Sequence, residues 1–148
     1  MSEDSSALRD MLNARGAGHL PGHLGVVIET ATTEEVAGFL DVRQELMAPN
    51  GFLHAASVIG LVDTLCGYGT VANLPEGASG FTTIELKANY LGTARDGRLR
   101  GVATPVHRGR TTHVWDARAF RDSDGKTVAL FRCTQMILWP KAGEVSAA

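Results

Sequence analysis

The stretch FLHAASVIGLVDTLCGYGTVAN, residues 52–73, decides the fold. It is small and apolar, holds no proline, and follows the turn signal Ala48-Pro49-Asn50-Gly51. Leu74-Pro75-Glu76-Gly77 closes it, so it reads as one long buried helix. Gly60, Gly67 and Gly69 each weaken helix propensity by about 1 kcal/mol relative to alanine. Burial must therefore hold this helix, and something must pack close to its backbone. A sheet wrapped around it does both.

The flanking segments supply such a sheet. Ahead of the helix, His23 to Thr30 and Val36 to Val42 are rich in valine and isoleucine and are joined by Thr32-Thr33-Glu34-Glu35, which reads as a hairpin. Further upstream Ser6 is expected to cap a short helix carrying Leu8, Met11 and Leu12, which ends at Gly16 and Gly18 and which Pro21 forbids from continuing. Behind the helix come four strand-like runs, with turns at Gly92 to Gly97, Arg108-Gly109 and Ser123-Asp124-Gly125. Ile84, Leu86, Ala88 and Tyr90 share one face of the first run. In the last, Ala129, Phe131, Cys133 and Ile137 alternate with a second apolar set, which predicts a central strand covered on both sides. The expected fold class is α+β: a long central helix wrapped by an antiparallel sheet of about six strands. The expectation is one domain over residues 1–148, with an N-terminal helix or arm over 1–20 and a frayed tail over 141–148.

Composition sets the class of partner. Hydrophobic residues are 44% and charged residues 20% of the chain, ordinary globular values. A net charge of −2 gives no reason to expect nucleic acid. Seven arginines nevertheless lie between Arg95 and Arg121 against only Asp96 and Asp116, a local excess that suits either an anionic ligand or solvated strand edges. Two cysteines, a polar N-terminus without an apolar core, and no continuous apolar run long enough to span a bilayer together predict a cytoplasmic protein with no membrane partner. His19 and His23 are interrupted by Pro21-Gly22 and lack a third ligand, so no metal is expected. His107 and His113 read as surface residues, and Cys66 as a small core residue.

The chemistry concentrates on the long helix. His54 stands at its start, where unpaired amides and the helix dipole favour negative charge, and the Ala55 amide is placed to stabilise a carbonyl oxygen as it gains charge. Asp63 interrupts the apolar run Val58 to Val62. Burial raises the pKa of such a carboxyl and suits it to act as base or nucleophile; a hydrogen bond to Thr64 or a neighbouring strand is the structural alternative. Nine residues carry Asp63 about half a revolution and about 13 Å from His54. If the two cooperate, they meet across a two-fold dimer with two equivalent composite sites.

The segment His54-Ala55-Ala56-Ser57-Val58-Ile59-Gly60-Leu61-Val62-Asp63 resembles the H-G-G-x-x-x-x-L-A-[DE] signature of hotdog-fold acyl-CoA thioesterases. The branch resembled is the phenylacetate-pathway and 4-hydroxybenzoyl-CoA type, and the likeness extends over about residues 26–138. The resemblance implies that Asp63 is nucleophile or general base, that His54 positions the carbonyl, and that the Ala55 amide polarises it. It further implies that Thr83 orients water. The resemblance also implies that Asn50, Gly51 and Gly67 line the substrate site and that Arg108, Gly109, Arg110 and Thr111 hold the CoA nucleotide. It implies an acyl-CoA or aroyl-CoA substrate, no separate cofactor because coenzyme A belongs to that substrate, and a homodimer that pairs into a homotetramer. The chain departs from the pattern where relatives carry paired glycines (Ala55, Ala56), a Gln or Asn (Ala48) and a hydroxyl (Gly67). The alternatives are a non-catalytic acyl-CoA-binding protein and a hotdog hydratase or dehydratase.

Overall fold

The computed structural model describes residues 3–141 and 143. Its elements are helices α1 (Glu3–Gly16) and α2 (Leu20–Leu24), strands β1 (Val27–Ala31) and β2 (Val36–Asp41), a 3-10 turn (Gln44–Leu46), helix α3 (Ala55–Ala72), and strands β3 (Gly80–Tyr90), β4 (Arg98–Arg108), β5 (Thr112–Arg121) and β6 (Thr127–Leu138). The six strands form one sheet in the order β1-β2-β4-β5-β6-β3, and every neighbouring pair is antiparallel. Helix α3 lies along the inner face and touches every strand. This is the hotdog fold.

The apolar run of α3 makes the core. Val58, Leu61, Val62, Leu65 and Cys66 are buried against Leu40, Leu99, Ala103, Trp115, Phe131 and Cys133 of the sheet. The helix has a mean hydropathy of 1.4, enough for a membrane span by composition alone, and the half of it that is buried packs against the sheet. Its glycines let neighbours approach closely: the Phe81 ring lies over Gly67 and the Trp115 ring over Gly69.

Several local expectations are corrected. Helix α1 starts at Glu3, so Ser6 lies inside it and is not its cap; serine costs a helix interior only a few tenths of a kcal/mol, too little to stop it. Residues 23–26 are not strand. Pro21 sits in the first turn of α2, where its missing N–H is no loss, and Gly25 ends that helix in the left-handed conformation at φ 74°. Strand β6 does run between β5 and β3, but one face only is covered. Ala129, Phe131, Cys133, Gln135 and Ile137 point into the core while Leu130, Arg132, Met136 and Leu138 are exposed.

Strand β3 pairs with β6 alone and forms an edge. A bulge between Thr83 and Glu85 breaks its register, and Ile84, Leu86 and Tyr90 remain exposed. The tail expected to fray lies outside the described residues, apart from Lys141 and Gly143.

The contact at Gly69 gives a test of the packing. A Cβ there would stand 2.5 Å from the Trp115 ring, which is fully buried and has no room to retreat. Gly69→Ala is expected to cost about 2 kcal/mol despite its better helix propensity, read as a lower urea midpoint.

Candidate active site

The start of α3 is fixed by the loop before it. The Leu46 carbonyl accepts from the His54 backbone N–H at 3.0 Å and from the buried Ser57 hydroxyl at 2.8 Å. Gly51, at φ 85°, allows the tight turn whose N–H reaches Ala48 O at 3.1 Å. His54 is the N-cap: its Nδ1 accepts from the Ala56 N–H at 2.9 Å. That bond leaves the proton of the neutral ring on Nε2, which can donate.

The other first-turn amides are accounted for in turn. Ser57 and Val58 both donate to the His54 carbonyl, at 2.9 and 3.2 Å. The Ala55 N–H has no acceptor among the described residues. It stands at the positive end of an 18-residue helix, suited to an oxygen that is gaining charge. Tyr90, at the end of β3, donates to the Ala55 carbonyl at 2.8 Å and ties this end to the sheet. A cavity of about 310 Å³ opens here, lined by Ala48, Asn50, Phe52, His54, Ala55 and Tyr90 among others. Asn50 Oδ1 accepts from the Phe52 N–H at 3.2 Å, so its amide nitrogen is left for a ligand. Gly51 shapes the turn beside this cavity without lining it.

Asp63 belongs to a second cavity of about 180 Å³. Its walls are Asp63, Thr64, Gly67, Tyr68 and Val71 from one stripe of α3, Phe81 and Thr83 from β3, and Arg15 and Pro21 from the N-terminal helices. One carboxylate oxygen, Oδ1, is buried with no hydrogen-bond partner among the described residues. Burial pushes the carboxyl above the usual aspartate range. The local hydrogen bond that would have made Asp63 structural is absent, since the Thr64 hydroxyl donates to the Gly60 carbonyl at 2.6 Å. A buried carboxylate oxygen without a partner is rare in a purely structural setting.

Thr83 faces the same cavity with its proton already committed. Its hydroxyl donates to Gln135 Oε1 at 2.7 Å, so its lone pairs are what it offers a water. Gln135 is fully buried on β6, its Nε2 3.4 Å from Cys133 Sγ. Sequence reasoning passed over it. The signal was a polar residue at an inward position, between Cys133 and Ile137 in the alternation.

The expected site residues thus fall into three groups. Asp63, Gly67 and Thr83 share one cavity, Asn50, His54 and Ala55 share another, and the two cavities have no wall in common. Arg108, Gly109, Arg110 and Thr111 lie around the turn from β4 to β5, in neither. Arg108 is paired with Glu34 at 2.7 Å and reaches Asn73 Oδ1 at 3.1 Å. Arg110 stacks on the Trp139 ring, 4.4 Å from its centroid.

The arginine excess counted along the chain is largely compensated in space. Arg98 pairs with Asp41, Arg100 with Glu29 and Asp122, Arg108 with Glu34, and Arg121 with Asp124. His113, expected at the surface, is buried with Nδ1 unpartnered, and that burial lowers its pKa. Cys66 is buried beside Cys133, and both thiols are free.

Known proteins resemble the chain in sequence and in fold. Residues 50–128 match the family model described as the thioesterase superfamily. The chain is 31% identical over 131 residues to the 1,4-dihydroxy-2-naphthoyl-CoA hydrolase of Escherichia coli K12, covering 87% of this chain and 93% of that protein. A mutant thioesterase from Pseudomonas aeruginosa superposes with a TM-score of 0.83 at 31% identity, over 88% of this chain and 93% of the other. A thioesterase family protein from Silicibacter pomeroyi does so with a TM-score of 0.80 at 30% identity, over 90% and 99%. With the fold, the motif from His54 to Asp63 and these similarities in accord, the chain belongs to the thioesterase superfamily.

Proposed function

We propose that the protein hydrolyses the CoA thioester of an acyl or aroyl group, within the branch that includes the phenylacetate-pathway and 4-hydroxybenzoyl-CoA enzymes. The observation that carries this reading is Asp63 itself, which lines a cavity of a thioesterase-superfamily chain and has one carboxylate oxygen buried without a partner among the described residues. In this reading the Asp63 carboxylate attacks the thioester carbonyl or draws a proton from the water that does. Thr83 accepts a hydrogen bond from that water and so orients it. The carbonyl oxygen takes its developing charge toward the Ala55 N–H and the His54 ring. Water's oxygen joins the carbonyl carbon, the C–S bond breaks, and the thiolate leaves with a proton as free CoA.

The two halves of this machinery are contributed by different subunits. Support comes from their separate cavities and from the half-turn offset along α3. The open edge of β3, with Ile84 and Leu86 exposed, offers a strand to pair with its two-fold mate. Each dimer then holds two sites, and the exposed Leu130, Met136 and Leu138 of β6 provide apolar surface for pairing dimers into a tetramer. The CoA nucleotide is assigned to the turn carrying Arg108, Gly109, Arg110 and Thr111, where Arg110 has no carboxylate partner among the described residues and retains its charge for phosphate.

The central test is free-thiol release over aroyl, phenylacyl and aliphatic CoA esters. Asp63→Asn is expected to lower kcat/KM by about a thousandfold without lowering the thermal midpoint, and a variant retaining most of its activity overturns the assignment. Because the folded-state pKa of Asp63 is raised, the acidic limb of the wild-type rate profile should lie above the ordinary aspartate value of 3.8, the rate falling as pH drops through it. The sign for stability is opposite to that of a paired carboxylate. The fold holds this proton more tightly than the unfolded chain, so the contribution is present at low pH and lost as pH rises through the raised pKa. Asp63→Asn should remove that component from the pH dependence of unfolding.

Ala55→Pro isolates the amide. The position is the first of the helix, where proline is tolerated, and His54 at φ −63° and ψ 139° already has the extended backbone that a following proline requires. The variant should fold and lose about a hundredfold in kcat, measured by thiol release. Mixing Ala55→Pro with Asp63→Asn subunits, after dissociation and reassembly, should recover about one quarter of wild-type sites, because each mixed dimer rebuilds one of its two. No recovery would place both groups in sites made by single chains.

A further inference from the structure

One wall of the Asp63 cavity carries a cation that hydrolysis itself does not require. Arg15, in the last turn of α1, lines this cavity beside Pro21, Tyr68, Val71 and Phe81. Among the described residues it has no ion pair and no hydrogen bond. Every other arginine of the chain has a carboxylate or an aromatic ring against it: Arg9, Arg43, Arg98, Arg100, Arg108, Arg121 and Arg132 are in ion pairs, and Arg95, Arg110 and Arg118 lie over rings. An arginine left without either, at a cavity that also holds a carboxylate, keeps both its charge and its planar face open to a ligand.

Its backbone is held firmly. Asn13 clasps Ile28 of β1 through two hydrogen bonds, of 3.0 and 2.8 Å, and Leu12 is fully buried. At the end of α1 the Tyr68 hydroxyl packs so closely on Gly16 that a Cβ there would stand 2.9 Å from it. The Tyr68 hydroxyl and the Arg15 guanidinium are thus neighbours, and Arg15 acts electrostatically on the Tyr68 phenol. Both can donate to one anion.

Size and spacing define what fits between them and the reacting carboxylate. Asp63 and Tyr68 are five residues apart, a backbone rise of about 7.5 Å along the helix axis, comparable to a six-membered ring together with the carboxyl groups at its two ends. The part of the cavity that one chain encloses is about 180 Å³, below the ~300–1,000 Å³ usual for ligand pockets, which favours a compact acyl group. Pro21, Val71 and Phe81 give it apolar walls.

Resting on the reading that the acyl portion of the thioester occupies the Asp63 cavity, we propose that Arg15 and Tyr68 form its distal end and select a compact acyl group, about one ring in size, that bears a carboxylate opposite the thioester. The substrate class is then the CoA monothioester of a small dicarboxylic acid. A carboxylate there matches the guanidinium fork, neutralises the unpaired charge, and is kept away from Asp63 by the length of the ring.

The test compares 4-carboxybenzoyl-CoA, 4-hydroxybenzoyl-CoA and benzoyl-CoA on the wild type, Arg15→Met and Arg15→Lys, reading ratios of kcat/KM. The wild type should favour the carboxylated ester over benzoyl-CoA by about tenfold or more, with the hydroxylated ester between them. Arg15→Met should bring the ratio close to one, and Arg15→Lys should restore most of it. A wild-type ratio near one, a preference for the hydroxylated ester, or a ratio that Arg15→Met leaves unchanged overturns the proposal. Dissociation constants of the same three esters for Asp63→Asn, with and without Arg15→Met, separate the two readings. A preference in binding that depends on Arg15, in an enzyme whose wild type releases no thiol, would sink hydrolysis and keep the acyl subsite. Thiol release with no dependence on Arg15 would do the reverse.

Discussion

Burial of α3 against the inner face of the sheet organises everything else in this molecule. The helix carries apolar side chains through its length and three glycines that weaken it in isolation, so it is stable only where the sheet covers it. The sheet in turn has one apolar face, which α3 fills. Gly67 and Gly69 allow Phe81 and Trp115 to approach the helix backbone, and that closeness joins the helix to β3 and β5. Each partner needs the other to remove its apolar surface from water.

The same packing leaves two polar features of the helix uncovered. A helix buried along its side still leaves its first-turn amides at one end, and here the His54 ring and carbonyl satisfy three of them while that of Ala55 stays without a protein acceptor. Halfway along, Asp63 sits at the margin of the covered stripe, facing the gap between α3 and the edge strand β3. Its burial is enough to raise its pKa and too incomplete to supply a partner. The alanines that replace the paired glycines of the thioesterase signature, Ala55 and Ala56, are both exposed. Their methyl groups therefore face solvent beside the helix start and do not enter the core.

Charge is arranged by contact, not by position along the chain. The run of arginines from Arg95 to Arg121 loses most of its excess to Glu29, Glu34 and Asp41, brought alongside by β1, β2 and their connection. These pairs are exposed or half-exposed, and each contributes little to stability. Their consequence is selectivity in where positive charge remains, at Arg15, Arg95, Arg110 and Arg118.

The sequence by itself determined the long helix, the six strands and their antiparallel class, because period-2 and helical patterns and the glycine and proline turns are local signals. It also determined the half-turn separation of His54 and Asp63, since helix geometry converts spacing directly into direction. What sequence misjudged were features set by context: Ser6 inside α1, Pro21 within α2, β6 with one bare face, and His113 in the interior. Only the tertiary structure decided that Asp63 lacks a hydrogen-bond partner, that Gln135 holds the Thr83 hydroxyl, and that Arg15 reaches the Asp63 cavity from 48 residues upstream. Each of these depends on which side chains from distant segments meet in space, and no local pattern encodes such a meeting.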